Sequence, residues 1–239
     1  MHSSPDFGVV IPAAGSGSRF GGGDKLLVDL SGETVLHRAA RLFADHVAVA
    51  AIIVVTAPDR IAPYQQHLAD LAPGRSLRVV EGGRERWESV MLGLRALAAI
   101  PAAPRFVAVH DAARPLTPRA VIDAAFDAAR THGGALPCVP EPATLKRRAD
   151  DGSVAQTVDR RALFQAQTPQ CFELLRLLSA YETLHADGRL ADVTDDAQLF
   201  ERMQWPVQIT PGAVENLKVT SAGDAAIARA LLAAAPSAT

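Results

Sequence analysis

Cysteine is nearly missing from this chain. Cys138 and Cys171 stand far apart and without metal-ligand spacing, which excludes a disulfide scaffold and a cysteine zinc site and reads as two reduced, buried thiols. No Cys-x-x-Cys, His-Glu-x-x-His or Gly-x-Ser-x-Gly occurs, so zinc and acyl-enzyme chemistry have no support. Positive charge is not in excess either. With a net charge of -2, the chain does not suit non-specific nucleic-acid binding, and no nucleic-acid partner is expected. No apolar run reaches membrane-spanning length. The N-terminus Met1-His2-Ser3-Ser4-Pro5-Asp6 lacks a basic n-region, so no membrane partner is expected and the cytoplasm is the expected compartment. Lysine is the last scarcity. Of 24 basic residues only Lys25, Lys146 and Lys218 are lysines. An ammonium is a compact, mobile point charge that a guanidinium cannot always replace, so each of the three is worth following.

What is present is ordinary globular material. Hydrophobic residues make up 49% and charged residues 21% of the chain, enough apolar surface for a sizeable core. Its length suits one large α/β domain over 1–239. Apolar, β-rich runs alternate with helical periods. Strands are read at 7–12, 51–56, 77–80, 106–110 and 135–139, and helices at 34–44, 58–71, 87–98 and 117–130, the last with Thr117 as N-cap and Pro118 at N1. This rhythm implies a mostly parallel sheet with helices on both faces, whose ligands sit at the carboxyl ends of the strands. The rhythm breaks from about 141 to 161, where two short runs flank Asp151-Gly152 and read as a β-hairpin arm. With so little apolar surface the arm lies on the body or reaches another subunit. A helix at about 169–187, a strand at 206–210 and a helix at 221–234 follow, the last opened by Ser221 and Asp224 as a capping box.

The chemistry-bearing motifs fall where strands end. The first is Pro12-Ala13-Ala14-Gly15-Ser16-Gly17-Ser18-Arg19-Phe20-Gly21-Gly22-Gly23-Asp24-Lys25. Its glycines let backbone N–H groups approach a polyphosphate, and Arg19 and Lys25 can neutralise one. It is neither a dinucleotide loop, since Phe20 holds the last glycine position, nor a Walker A loop, since Gly-Lys-Ser/Thr is absent. The second is His110-Asp111-Ala112-Ala113-Arg114-Pro115. A carboxylate at the end of a central strand can hold Mg²⁺ against substrate phosphates; His110 receives no role. The third, Gly82-Gly83-Arg84-Glu85-Arg86-Trp87-Glu88-Ser89, offers backbone groups and a hydroxyl to a base edge. Scattered pieces, Thr144-Leu145-Lys146, Thr157-Val158-Asp159-Arg160, Thr168-Pro169-Gln170, Thr194-Asp195-Asp196 and Glu215-Asn216-Leu217-Lys218-Val219-Thr220, add hydroxyls and cations suited to a phosphorylated substrate. Thr168 before Pro169 also reads as a helix cap.

Taken in order, these motifs resemble the 2-C-methyl-D-erythritol 4-phosphate cytidylyltransferases of the non-mevalonate isoprenoid pathway, over nearly the whole chain. Asp111-Ala112-Ala113-Arg114-Pro115 and Asn216-Leu217-Lys218-Val219-Thr220 are the specific pieces. The resemblance implies a Rossmann-like twisted sheet and a homodimer whose arms help complete each other's active sites. It implies CTP and a small phosphorylated polyol as substrates. Ala13, Ala14, Gly15, Gly17, Gly83 and Ser89 would bind the nucleotide. Arg19, Lys25 and Lys218 would be catalytic charges, Asp111 would hold Mg²⁺ or another divalent cation, and Arg114, Thr144, Arg160, Thr168 and Thr194 would hold the acceptor. Ribitol-5-phosphate cytidylyltransferases are the nearest alternative, and an inactive nucleotide-binding regulator a remote one. The chain departs from the family where Asp24 precedes Lys25 in place of the common proline, in the run Gly21-Gly22-Gly23, and at Arg84 where an acidic residue is common.

Overall fold

The structure is a computed structural model that describes residues 5–15, 23–71 and 76–234. The first half alternates strand and helix: β1 (Phe7–Pro12), α1 (Val35–Ala44), β2 (Val49–Thr56), α2 (Ile61–His67), β3 (Ser76–Glu81), α3 (Arg86–Ala98), β4 (Phe106–Val109), α4 (Arg119–His132) and β5 (Gly134–Pro140). The second half holds the arm strands β6 (Lys146–Arg148) and β7 (Val154–Thr157), then β8 (Phe164–Ala166), β9 (Gln170–Glu173), α5 (Leu174–Ala186), α6 (Ala197–Arg202), β10 (Gln208–Pro211) and α7 (Ala222–Ala234). The main sheet runs β10-β5-β9-β4-β1-β2-β3, with β8 also on β5. β3, β2, β1 and β4 are parallel neighbours, as are β5 and β10; β9 is antiparallel to both β4 and β5.

Burial on both faces explains the unbroken apolar strands. Within β1, Phe7, Val9 and Ile11 face one core with Leu36, Phe43 and Phe126 from α1 and α4. Val10 faces the other, with Leu94 and Leu97 of α3 and Tyr181 of α5. α3 lies very close to the sheet. A Cβ on Gly8 would stand 2.4 Å from Leu97 Cδ2, and one on Gly93 2.6 Å from Val10 Cγ1. Both glycines are there for that approach rather than for backbone freedom. Among the described residues no helix is long and apolar enough to cross a membrane.

Several sequence expectations need correction. Residues 170–173 are not the start of a helix but strand β9, and the helix begins at Leu174. Only Glu173 separates Cys171-Phe172 from Leu174-Leu175, an interruption too short for periodicity to mark the boundary. The slot between β4 and β5 offers ladder hydrogen bonds and buries Cys171 and Phe172 on opposite faces. Thr168 caps no helix there. Nor does Thr117 cap α4: Pro118 is the N-cap, and the Thr117 hydroxyl donates instead to Asn216 Oδ1 at 2.8 Å. The expected helix over 58–71 is a short α2 between two 3-10 turns. β8 and α6 had no clear sequence signal. The arm does form, as β6 paired antiparallel with β7 and exposed throughout. The box opening α7 forms too: Asp224 N–H donates to Ser221 Oγ at 3.2 Å, and Ser221 N–H to Asp224 Oδ2 at 2.8 Å.

Candidate active site

The carboxyl ends of β1, β3 and β4 converge on a cleft of about 410 Å³. Ala13, Ala14 and Gly15 line it from β1, Lys25 from the 3-10 turn after the glycine-rich segment, and Ser89 and Arg86 from α3. Asp111 and Lys218 complete its floor. Gly83 lines an adjoining recess shared with Ala14. Pieces of the glycine-rich, 82–89, Asp111 and Lys218 motifs thus meet at one cleft although they come from opposite ends of the chain. Arg19 and Gly17 lie outside the described residues.

Asp111 is the charge centre. Its Oδ2 accepts from Lys218 Nζ at 2.8 Å and lies 3.4 Å from Arg114 Nε. Burial alone would favour the neutral acid, but Lys218, Arg86 and Arg114 outweigh it and hold the carboxyl well below the usual carboxylate range. Asp111 is therefore an anion in a cleft otherwise rich in cations. Among the described residues no group of three or more His, Cys, Asp and Glu could hold a metal by itself.

Hydrogen bonds fix the turn that carries Asp111. His110 is fully buried, and burial above all pulls its imidazole down to about 4, so the ring is neutral. Its Nε2 lies 3.0 Å from the Arg114 carbonyl, which can only accept, so Nε2 carries the proton. Nδ1 is then an acceptor, and the Thr168 hydroxyl, 3.1 Å away, donates to it. The same hydroxyl oxygen accepts the Asp111 N–H at 3.1 Å. A directional chain therefore runs from Asp111 N–H through Thr168 to His110. Thr168 is 4% exposed, and its only proton is committed to His110, so its hydroxyl clasps the Asp111 backbone.

The remaining pieces brace one another. Arg114 Nη1 donates to the Asn216 carbonyl at 2.6 Å. Asn216 is buried and donates to Gln167 Oε1 and the Thr168 carbonyl, at 3.1 and 2.9 Å. Ser89 Oγ accepts the Gly83 N–H at 3.2 Å and lies 3.2 Å from the Glu85 carbonyl, so it shapes the turn into α3. A Cβ on Gly83 would collide with the Glu88 side chain at 2.2 Å, and Glu88 is the other half of the box that starts α3. Gln170 Nε2 donates to Asp195 Oδ2 at 2.9 Å, which joins two of the scattered tripeptides.

Arg86 was missed as a site residue. Its Nη2 pairs with the fully buried Asp196 at 2.7 Å, and the Tyr181 hydroxyl donates to the other Asp196 oxygen at 2.5 Å. Burial opposes the Arg86 charge, and Asp196 more than restores it. A signal was available: Arg86 opens α3, where the helix dipole disfavours a cation, so its presence there called for an anion. Thr144 and Arg160 are exposed on the arm segment, the latter donating to the Pro142 carbonyl, and Thr194 is exposed just ahead of α6. Within one chain the structure does not bring these three to the cleft walls.

A mostly parallel sheet whose strand ends gather Gly15, a buried carboxylate and the four cations Lys25, Arg84, Arg86 and Lys218 suits a phosphate-bearing ligand, as in the nucleotide-handling α/β enzymes. The IspD family model, 2-C-methyl-D-erythritol 4-phosphate cytidylyltransferase, matches residues 7–234, and the chain belongs to that family. It is 40% identical to the 2-C-methyl-D-erythritol 4-phosphate cytidylyltransferase of Symbiobacterium thermophilum, over 94% of this chain and 92% of that one. Among solved structures it resembles the 4-diphosphocytidyl-2C-methyl-D-erythritol synthase of Anaerococcus prevotii, with a TM-score of 0.82 at 27% identity over 95% and 98% of the two chains. It also resembles the 2-C-methyl-D-erythritol 4-phosphate cytidylyltransferase of Thermus thermophilus, with a TM-score of 0.75 at 31% identity over 93% and 97%.

Proposed function

We propose that the chain transfers CMP from CTP to 2-C-methyl-D-erythritol 4-phosphate, giving 4-diphosphocytidyl-2-C-methyl-D-erythritol and pyrophosphate. The observation that carries this reading is the meeting of Lys25, Lys218 and Arg86 around the ionised Asp111 at the ends of β1 and β4. The acceptor phosphate attacks the α-phosphorus in line as pyrophosphate leaves. A phosphate oxyanion is already a nucleophile, so no general base is required. Catalysis is then positioning and charge stabilisation. Ala13, Ala14, Gly15 and Gly83 border the nucleotide, with Ser89 behind the turn; Gly17, outside the described residues, takes a nucleotide-binding role in the same reading. Lys25 and Lys218, with Arg19, balance the charge that develops on the phosphates.

The donor set fits a magnesium ion. Mg²⁺ takes one or two carboxylates and completes its shell with phosphate oxygens and water, and Asp111 offers an ionised carboxylate whose two cation contacts both fall on Oδ2. When bound, the ion would neutralise triphosphate charge. Arg114, beside the Asp111 carboxylate, and Thr168, behind its backbone, hold the acceptor in this reading. Thr144 and Arg160 reach an acceptor from the arm of a second copy, which makes a homodimer through the segment at about 141–161 part of this reading. The same reading keeps 1–239 as one nucleotidyltransferase domain and the cytoplasm as its compartment.

The test is pyrophosphate release from CTP and Mg²⁺ with methylerythritol phosphate and ribitol 5-phosphate as parallel acceptors. Release with the first acceptor alone is expected. Release with ribitol 5-phosphate instead would overturn the acceptor and leave the chemistry. Silence with both, in a protein that binds CTP, would overturn the transfer itself.

A further inference from the structure

Lys25 is held by a set of contacts that the transfer reaction does not use. It opens a one-turn 3-10 helix, Lys25–Leu27, between a buried Leu26 and a capping Asp24. Asp24 Oδ1 accepts the Leu26 N–H at 3.0 Å, and the Asp24 carbonyl accepts the Leu27 N–H at 3.0 Å. The other carboxylate oxygen, Oδ2, accepts the Tyr64 hydroxyl at 2.5 Å. Tyr64 in α2 is fully buried, and burial, then the hydrogen bond to Asp24 and its charge, push its phenol well above the ordinary range, so it remains a donor. Arg60 Nε lies 3.7 Å from the same oxygen, and Arg60 Nη1 donates to the Gly15 carbonyl at 3.1 Å. Gly15 and Lys25 both line the same cleft. One guanidinium thus ties the end of β1 to the turn that presents Lys25.

A carboxylate beside a cation meant for polyphosphate carries an electrostatic cost. Capping alone does not require it, since Asn or Ser caps equally well. What only a carboxylate does here is accept a backbone N–H and a buried phenol on separate oxygens while pairing with a guanidinium. We propose that Asp24, Tyr64 and Arg60 are positioning residues that fix Lys25 and the Gly15 wall at a set separation for the triphosphate. The inference rests on the transfer function and on Lys25 bearing charge within it.

A double-mutant cycle tests it, with pyrophosphate release as the readout. Tyr64→Phe keeps the buried ring and removes only the hydroxyl; Asp24→Asn keeps a capping acceptor and removes the charge. Each lowers kcat/KM for CTP by about tenfold, the scale of one hydrogen bond to a charged group, and leaves KM for the acceptor unchanged. Residues that act through Lys25 lose their effect once Lys25 is gone, so neither substitution changes the residual rate in a Lys25→Ala background. The same tenfold loss in that background, or a shift in acceptor KM of equal size, overturns the proposal while an active wild type keeps the function. So does a wild-type rate in a Tyr64→Phe protein that melts at the wild-type temperature. An inactive wild type overturns both readings.

Discussion

At the scale of single residues, charge in a confined space decides the outcome. Lys25 and Lys218 are two of only three lysines in the chain, and both line the cleft, while Lys146 lies in the arm with its ammonium on Thr157. Lys25→Ala is expected to lower turnover by at least about a hundredfold, the scale of one lost transition-state donor; near-normal turnover in a folded variant would remove Lys25 from the chemistry. His110 carries a pH prediction. Its folded-state value of about 4 lies below the 6.5 of a free imidazole. The neutral ring's contribution is therefore fully present above about pH 6.5 and is lost as pH falls towards 4, because the unfolded chain takes up a proton that the folded one refuses. Between pH 7 and pH 4.5 the loss amounts to about 2 kcal/mol. Urea unfolding at pH 7 and pH 4.5 measures it, and His110→Gln is expected to flatten the difference. An equally steep pH dependence in that variant would assign it to other groups.

At the scale of elements, close approach outweighs propensity. Alanine at position 93 would favour the helix by about 1 kcal/mol. A Cβ there would stand 2.6 Å from Val10 Cγ1 and 2.9 Å from Val55 Cγ2, both side chains fully buried in the sheet. Overpacking of that kind costs about 1–3 kcal/mol, so Gly93→Ala is expected to lower the urea midpoint, and a raised midpoint would mean that α3 can lift off the sheet freely. Strands β1 and β2 were legible in the sequence because both faces are buried and the apolar runs are unbroken. β9 was not, because only Glu173 separates Cys171-Phe172 from the leucines that open α5, and the slot between β4 and β5 is what distinguishes the two.

At the scale of the molecule, the arm has no reason to stand alone. β6 and β7 are exposed along their whole length, and Val154 is 65% exposed. An isolated two-stranded hairpin is marginal in water, so a second copy covering it is the expected state. Light scattering is expected to give a dimer for the intact chain and a monomer when residues 146–157 are replaced by a short glycine linker. The monomer should bind CTP but show a raised acceptor KM, since Arg160 and Thr144 would no longer reach a partner's cleft. A linker variant that remains dimeric would move the interface elsewhere.

The order of residues was enough for the strand-helix rhythm, the arm around Asp151-Gly152 and the chemical types gathered at the strand ends. These follow from local periodicity, turn chemistry and side-chain charge, which are written residue by residue. Tertiary structure alone decided which polar groups work on the ligand and which work on each other. Thr168 meets Asp111 across 57 positions, Tyr64 meets Asp24 across 40, and Arg86 meets Asp196 across 110. A hydroxyl or a guanidinium looks the same in a sequence whether its protons face solvent or a buried partner. Its role is fixed only when folding removes water and leaves one acceptor within reach.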